Sequence, residues 1–231
     1  MHLPSIRVAL RSLADPRQAA ILRRFFKTGP GEYGEGDRFY GIKVPVLRTL
    51  SKQFDSIPVS TLRQLLRSSM HEERMLGLLI MVRRYARGDV RGRQRVFDLY
   101  LAHTRCVNNW DLVDLSAPSI VGVHLTDRDR GLLCELASSD NLWERRIAII
   151  ATLHFIRRRE FADTLAITRQ LLGDREDLIH KAAGWMLREV GKRDLRAEEE
   201  FLGRHHRHMP RTMLRYAIER FPERKRQRYL R

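Results

Sequence analysis

Apolar residues recur at three- and four-residue intervals along almost the whole chain, the spacing that lines one face of a helix. No stretch shows the strict alternation of a half-buried strand, so the fold expected is all-α. Ala14-Asp15-Pro16 reads as a helix start with proline in the first turn, followed over 17–27 by the apolar residues Ala20, Ile21, Leu22, Phe25 and Phe26. Residues 28–36 read as a glycine-rich loop. Tyr40-Gly41-Ile42-Lys43-Val44-Pro45 then leads into a helix through Leu47, Leu50 and Phe54, and Ser60 is placed to cap a helix over 62–67. Further helices are predicted over 71–87, 89–102, 109–122, 126–138, 140–157, 160–172, 175–191, 193–207 and 209–220.

These helices repeat. The small residues Gly77, Ala148, Gly184 and Ala217 stand 71, 36 and 33 positions apart, and Val113 falls between the first two. A period near 36 in an all-helical chain indicates a solenoid. The ankyrin and tetratricopeptide patterns are missing, which leaves HEAT-like antiparallel helix pairs, expected as a right-handed solenoid with a basic concave face. Indexed on the small residue, Arg74, Arg145 and Lys181 each precede it by three and Trp110 holds the same slot in its own helix, while Trp185 and Asp114 each follow by one. Equivalent positions point the same way in such an array, so these side chains are expected on one inner surface.

Composition adds a partner to this picture. The 231 residues carry 44 Lys plus Arg against 28 Asp plus Glu, a formal charge of +16. The basic residues run from Arg7 to Arg231, which implies a folded cationic surface and favours nucleic acid over membrane. The length fits a single domain over 1–231, expected to be monomeric. No apolar run has the ~18 residues of a membrane span, and no signal segment opens the chain, so a cytoplasmic, nucleoid-associated protein is expected. Cys106 and Cys134 lack any metal or disulfide spacing and read as buried thiols.

The chemistry concentrates in Asn109-Trp110-Asp111-Leu112-Val113-Asp114, where an aromatic ring and a carboxylate share a helix face at a spacing of four. On a cationic surface, a carboxylate beside an aromatic wall suits an oxocarbenium-like transition state, as in glycosidic cleavage. One carboxylate suffices when the leaving group is already cationic, as an N-alkylated purine is.

At these residues the chain resembles the DNA alkylation repair glycosylases of the AlkD type. The resemblance rests on Tyr40-Gly41-Ile42-Lys43-Val44-Pro45, the segment just quoted, Leu142-Trp143-Glu144-Arg145-Arg146-Ile147-Ala148 and Lys181-Ala182-Ala183-Gly184-Trp185-Met186-Leu187-Arg188-Glu189, spanning about residues 38 to 190. It implies excision of N3-alkyladenine and N7-alkylguanine from double-stranded DNA without base flipping, and no metal or cofactor. By the same resemblance Asp114 is the catalytic carboxylate, Trp110 and Trp185 flank the lesion's deoxyribose, and Arg146 stands beside the site. Arg146 is also placed to clasp a phosphate, and Lys43, Arg74, Arg145, Lys181, Arg188, Arg211 and Arg215 are candidates for a wider DNA track.

Plainer readings compete with each assignment. A helical tryptophan is usually core, and Trp143 is assigned to packing. Asp114 has the alternative of an ion pair with Arg145 or Arg146. Lys181 suits a phosphate contact better than a Schiff base, because it lacks a desolvating apolar cluster. His205-His206-Arg207-His208 has no complete ligand set and reads as a solvated face. Gly29, Gly31, Gly34 and Gly36 fit no phosphate-cradling pattern and mark a mobile connection within reach of DNA. Against the enzyme stand a non-catalytic binder of bent or damaged DNA and a basic protein scaffold.

Overall fold

The computed structural model describes residues 2–231. Among them there is no strand, only an isolated bridge between Arg38 and Met70, so the all-α expectation holds. Contacts divide the chain into two compact units, Met1–Ser116 and Ala117–Arg231.

The first unit contains α1 (Leu3–Ser12), α2 (Pro16–Phe25), α3 (Val44–Gln53), α4 (Val59–Leu66), α5 (His71–Arg87), α6 (Val90–Leu101) and most of α7 (Trp110–Ala117). Helix α1 lies outside the predicted elements; it has Pro4 in its first turn and buries Ile6 and Leu10, one turn apart. Asp15 caps α2 as expected, accepting the N–H groups of Arg17 and Gln18. Its buried face is carried by Ala19, however, and Ile21 and Phe25 are exposed. Ser60 lies inside α4, which begins after Pro58 without a side-chain cap. Helix α5 is the hub and packs on α3, α4 and α6. At Gly77 an added Cβ would lie 3.2 Å from Leu66 of α4, so the small residue marks a close helix crossing.

The 28–36 loop is hydrogen-bonded to itself rather than loosely strung. Glu32 and Glu35 carboxylates accept the N–H groups of Gly29 and Gly31, and Gly34 N–H reaches the Lys27 carbonyl at 3.1 Å.

The second unit opens with a π-helical segment, Pro118–Gly122, that continues α7. Pro118 has no N–H for the regular ladder, which accounts for the widened turns there. Then follow α8 (Gly131–Ala137), α9 (Leu142–Ala151), α10 (Leu153–Arg157), α11 (Ala162–Gln170), α12 (Asp177–Gly191), α13 (Leu195–His205), α14 (Arg211–Ala217) and α15 (Glu223–Leu230). The helix expected over 140–157 breaks at Thr152, whose hydroxyl donates to the Ile149 carbonyl and tightens the turn. The one expected over 126–138 starts only at Gly131, because Arg128 and Arg130 turn back to cap the carbonyls of His124, Leu125 and Thr126. Helix α12 packs on α9, α11, α13 and α14, and a Cβ at Gly184 would meet the Met213 carbonyl at 2.3 Å.

The repeat is visible in a shared staple. Ser68, Ser139 and Asp174 each receive, on a side-chain oxygen, the N–H two residues on. Each also has its carbonyl bonded by a side chain six residues on, from Arg74, Arg145 and His180 in turn. The device fastens the first turn of α5, α9 and α12 to the loop before it.

Glu198 on α13 is buried, and one of its oxygens has no hydrogen-bond partner. Burial pushes its carboxyl up to about 8, against the opposing pull of Lys225 and Arg188. A raised pKa makes its contribution fullest below the ordinary value of 4.5 and loses it as the pH climbs to 8. Glu198→Gln, uncharged in both states, is therefore expected to raise the melting temperature at pH 8.5, with the gain shrinking toward pH 5. A gain that is equal at both pH values would contradict this.

Candidate functional site

Helix α7 offers two faces. Leu112 and Val113 are fully buried, whereas Trp110, Asp111, Asp114 and Leu115 are partly accessible. Trp110 and Asp114 therefore lie one turn apart on the accessible side, as their spacing requires. Asp114 lies near enough to Tyr100 for its charge to add to burial in pushing that phenol up. The Tyr100 hydroxyl is bonded to Ser116 at 3.0 Å, which ties α6 to α7.

The Trp110 ring lies against Phe26, near-parallel at 5.3 Å between centroids, and meets Phe25 edge-on at 5.8 Å. Its own N–H groups aside, the start of α7 is organised by Asn109, which is buried and accepts the Trp110 backbone N–H at 2.9 Å.

Beneath α7 lies a polar network that the sequence reading missed. His71, Glu72, Glu73 and Arg74 are four consecutive polar residues, and all are buried. The His71 ring is bonded by Nδ1 to Asp37 at 3.1 Å and by Nε2 to Asp111 at 2.9 Å. Burial opposes its charge, yet the bonds to Asp111 and Asp37 outweigh burial and hold its pKa at about 9. The stabilising proton is fully in place below 6.5 and is lost as the pH rises through 9. Asp37 also takes Arg74 Nη2 at 2.5 Å; burial would raise its carboxyl, but His71 and Arg74 bring it below the ordinary range.

Glu72 holds the segment that precedes α3. Its carboxylate accepts N–H groups from Tyr40, Gly41 and Ile42 at 3.0, 2.8 and 3.2 Å. Gly41 has φ +88° and would press a Cβ to 2.1 Å from the Asp15 carbonyl, so only glycine fits there. Glu73 takes Arg7 and the Tyr40 hydroxyl. The signal for all this was available: four charged or polar residues in a row run directly into the apolar stretch Met75–Val82 of the same helix.

In the second unit, Lys181, Trp185 and Arg188 share the partly accessible face of α12. Trp185 Nε1 donates to Glu189 at 3.3 Å, Lys181 pairs with Asp177 at 2.6 Å, and Arg188 pairs with Glu219. Arg146 on α9 is only 5% exposed and donates to the Leu178 carbonyl at 2.6 Å, a placement that suits positioning of α12 rather than a phosphate clasp. Trp143 is buried, in keeping with packing.

The basic residues expected on one inner surface do not all reach solvent. Arg74 is 3% exposed and committed to Asp37 and Ser68, so it is an internal staple and leaves the expected surface. Arg145 is committed likewise to Asp174, at 2.6 Å, and to Ser139. Lys43, Arg211 and Arg215 are exposed. Cys134 is also exposed and Cys106 half-buried, which corrects the expectation of two buried thiols. In the histidine tract, His206 bonds the Leu202 carbonyl and the His205 ring packs on Phe201. Among the described residues no cluster of His, Cys, Asp and Glu could hold a metal, and no helix is long and apolar enough to cross a membrane.

The family model described as "DNA alkylation repair enzyme" matches residues 6–221. The chain belongs to the DNA alkylation repair enzyme family. The match extends past the segments that carried the resemblance, to include most of α1 and all of α14. Among solved structures, a predicted DNA alkylation repair enzyme from Enterococcus faecalis superposes with a TM-score of 0.71 at 20% identity, covering 91% of this chain and 97% of that one. At that identity the likeness establishes the fold. No curated protein matches the sequence. As a member of the DNA alkylation repair family, the chain has a role in DNA repair.

Proposed function

We propose that this protein is a monofunctional DNA glycosylase that hydrolyses the N-glycosidic bond of cationic alkylpurines, N3-alkyladenine and N7-alkylguanine, in duplex DNA. The whole chain serves as one DNA-binding domain, acting as a monomer on nucleoid DNA in the cytoplasm. The observation that carries this reading is the pairing of Trp110 and Asp114 on the accessible side of α7, in a member of a DNA alkylation repair family.

In this scheme the C1′–N bond breaks with its electron pair going to the base, which leaves neutral because alkylation had made it cationic. The leaving group needs no proton. Asp114 stabilises the oxocarbenium sugar and orients a water toward C1′, and as that water's oxygen bonds to carbon its proton passes to the Asp114 carboxylate and from there to solvent. Trp110 packs on the sugar and supplies a π face to positive charge, worth ~0.5 to 2 kcal/mol. Trp185 and Arg146 keep the parts that the family resemblance assigns them. The reaction proceeds without extrusion of the base, avoiding a cost of a few kcal/mol, and its chemistry asks for neither metal nor cofactor.

The test is release of free N7-methylguanine from methylated duplex DNA, identified by mass. Release no faster than the spontaneous rate would leave a non-catalytic binder of damaged or bent DNA.

For the phosphate track, the exposed pair Arg211 and Arg215, one turn apart on α14, is the better candidate. Replacing both with Ala is expected to flatten the slope of log affinity against log salt by about 2. Arg74→Ala should leave that slope unchanged while lowering the melting temperature. A salt slope that moves with Arg74 and not with the α14 pair would overturn this assignment.

A further inference from the structure

The first unit contains a cavity of about 470 Å³ between α2, the segment before α3, α5 and the start of α7. Its walls are rings set nearly parallel. Trp110 lies on Phe26 at 5.3 Å and 29°, Phe26 on Phe39 at 5.4 Å and 11°, and Phe39 on His71 at 4.8 Å and 24°. Phe25 stands edge-on to both Phe26 and Trp110 and is 60% exposed at the mouth, beside Val44 and Lys43.

The ionised groups that border this space are already balanced. Asp111 and Asp37 are met by His71 and Arg74, and the Glu72 carboxylate is spent on three backbone N–H groups. On the lining itself the formal charges cancel, Lys43 and His71 against Glu72 and Asp111. What the cavity does offer is a lining of aromatic and aliphatic side chains, with the Gln18 amide and the Lys43 ammonium as further polar groups. Aromatic walls with a few convergent polar groups suit a flat, neutral heteroaromatic ring whose edge carries carbonyl and ring-nitrogen acceptors.

The geometry points to this cavity as a binding site for a free neutral purine base, and specifically for the alkylated base set free by hydrolysis. The origin of the ligand rests on the glycosylase reading; the site itself rests on the rings and on the charge balance. A base that has lost its glycosidic bond has also lost its positive charge, so it brings no charge to a lining whose formal charges already cancel. Trp110 would then serve twice, packing on the sugar and forming one wall of the compartment that receives the base.

Equilibrium dialysis of 7-methylguanine against the full-length, DNA-free protein tests this directly. One saturable site per chain is expected, with no uptake of ribose under the same conditions. Val44→Trp, which plugs the mouth from a partly exposed position, and Phe25→Ala, which removes its aromatic edge, should each weaken uptake at least tenfold. Unchanged helical circular dichroism and melting in these variants would show that the fold persists. Absence of saturable uptake, or uptake indifferent to both substitutions, overturns the site. Excision without uptake would overturn the cavity alone, whereas uptake without excision would overturn the glycosylase reading and keep the cavity.

Discussion

Asp114→Asn is expected to slow base release by about 10²- to 10³-fold while duplex affinity stays the same or rises slightly. Asparagine keeps the size and the helix but removes the anion aimed at the developing sugar cation, and stabilisation of that kind counts for most in a partly dehydrated site. Affinity should not fall, because the change takes a negative charge from a chain of formal charge +16 that binds a polyanion. Single-turnover release, measured beside a salt-matched binding titration, separates the two quantities. A variant as active as the parent would remove Asp114 from the chemistry. Asp111→Asn is the informative control, since Asp111 is bonded to His71 at 2.9 Å and its loss should appear mainly as lower stability.

The second large effect is on folding. Glu72→Ala is expected to cost ~3 kcal/mol, because it strands three backbone N–H groups, two of them buried, that now share one carboxylate. In a chain of this length that corresponds to a fall in melting temperature of roughly 6–12 °C. Glu72→Gln should lie between the two, as an amide keeps one acceptor oxygen and sets an N–H₂ against a donor. A loss below ~1 kcal/mol for the alanine variant would mean that the 40–42 backbone finds other partners. The expectation also explains why Tyr40-Gly41-Ile42 belongs to the segments that carry the family resemblance: Gly41 admits the close approach to Asp15, and Glu72 anchors the turn from the other side.

Much of the helical framework was legible because its causes are local. Asp15-Pro16 starts α2 through its own side chain, and α5 spans 71–87 as its apolar pattern requires. The small residues that revealed the repeat mark real close crossings, as at Gly77 and Gly184, since helices can approach there only without a side chain. The ends and breaks were less legible. Thr152 looks like an ordinary helical position until its hydroxyl is seen to bond the Ile149 carbonyl.

That Trp110 and Asp114 share one helix face was determined by the sequence, since a spacing of four allows no other arrangement, but that this face is accessible was decided by the packing. Which basic residues meet solvent was decided only by the tertiary structure. Arg74 and Lys181 occupy the same slot in the repeat, yet one is buried against Asp37 and the other is partly exposed beside Asp177. Asp37 lies 37 residues from Arg74 along the chain, and Asp111 lies 40 residues from His71, so no local pattern could announce either bond. Helical periodicity is set by backbone geometry within a few residues, whereas the partner of a buried charge is set by whatever distant segment the packed core brings beside it.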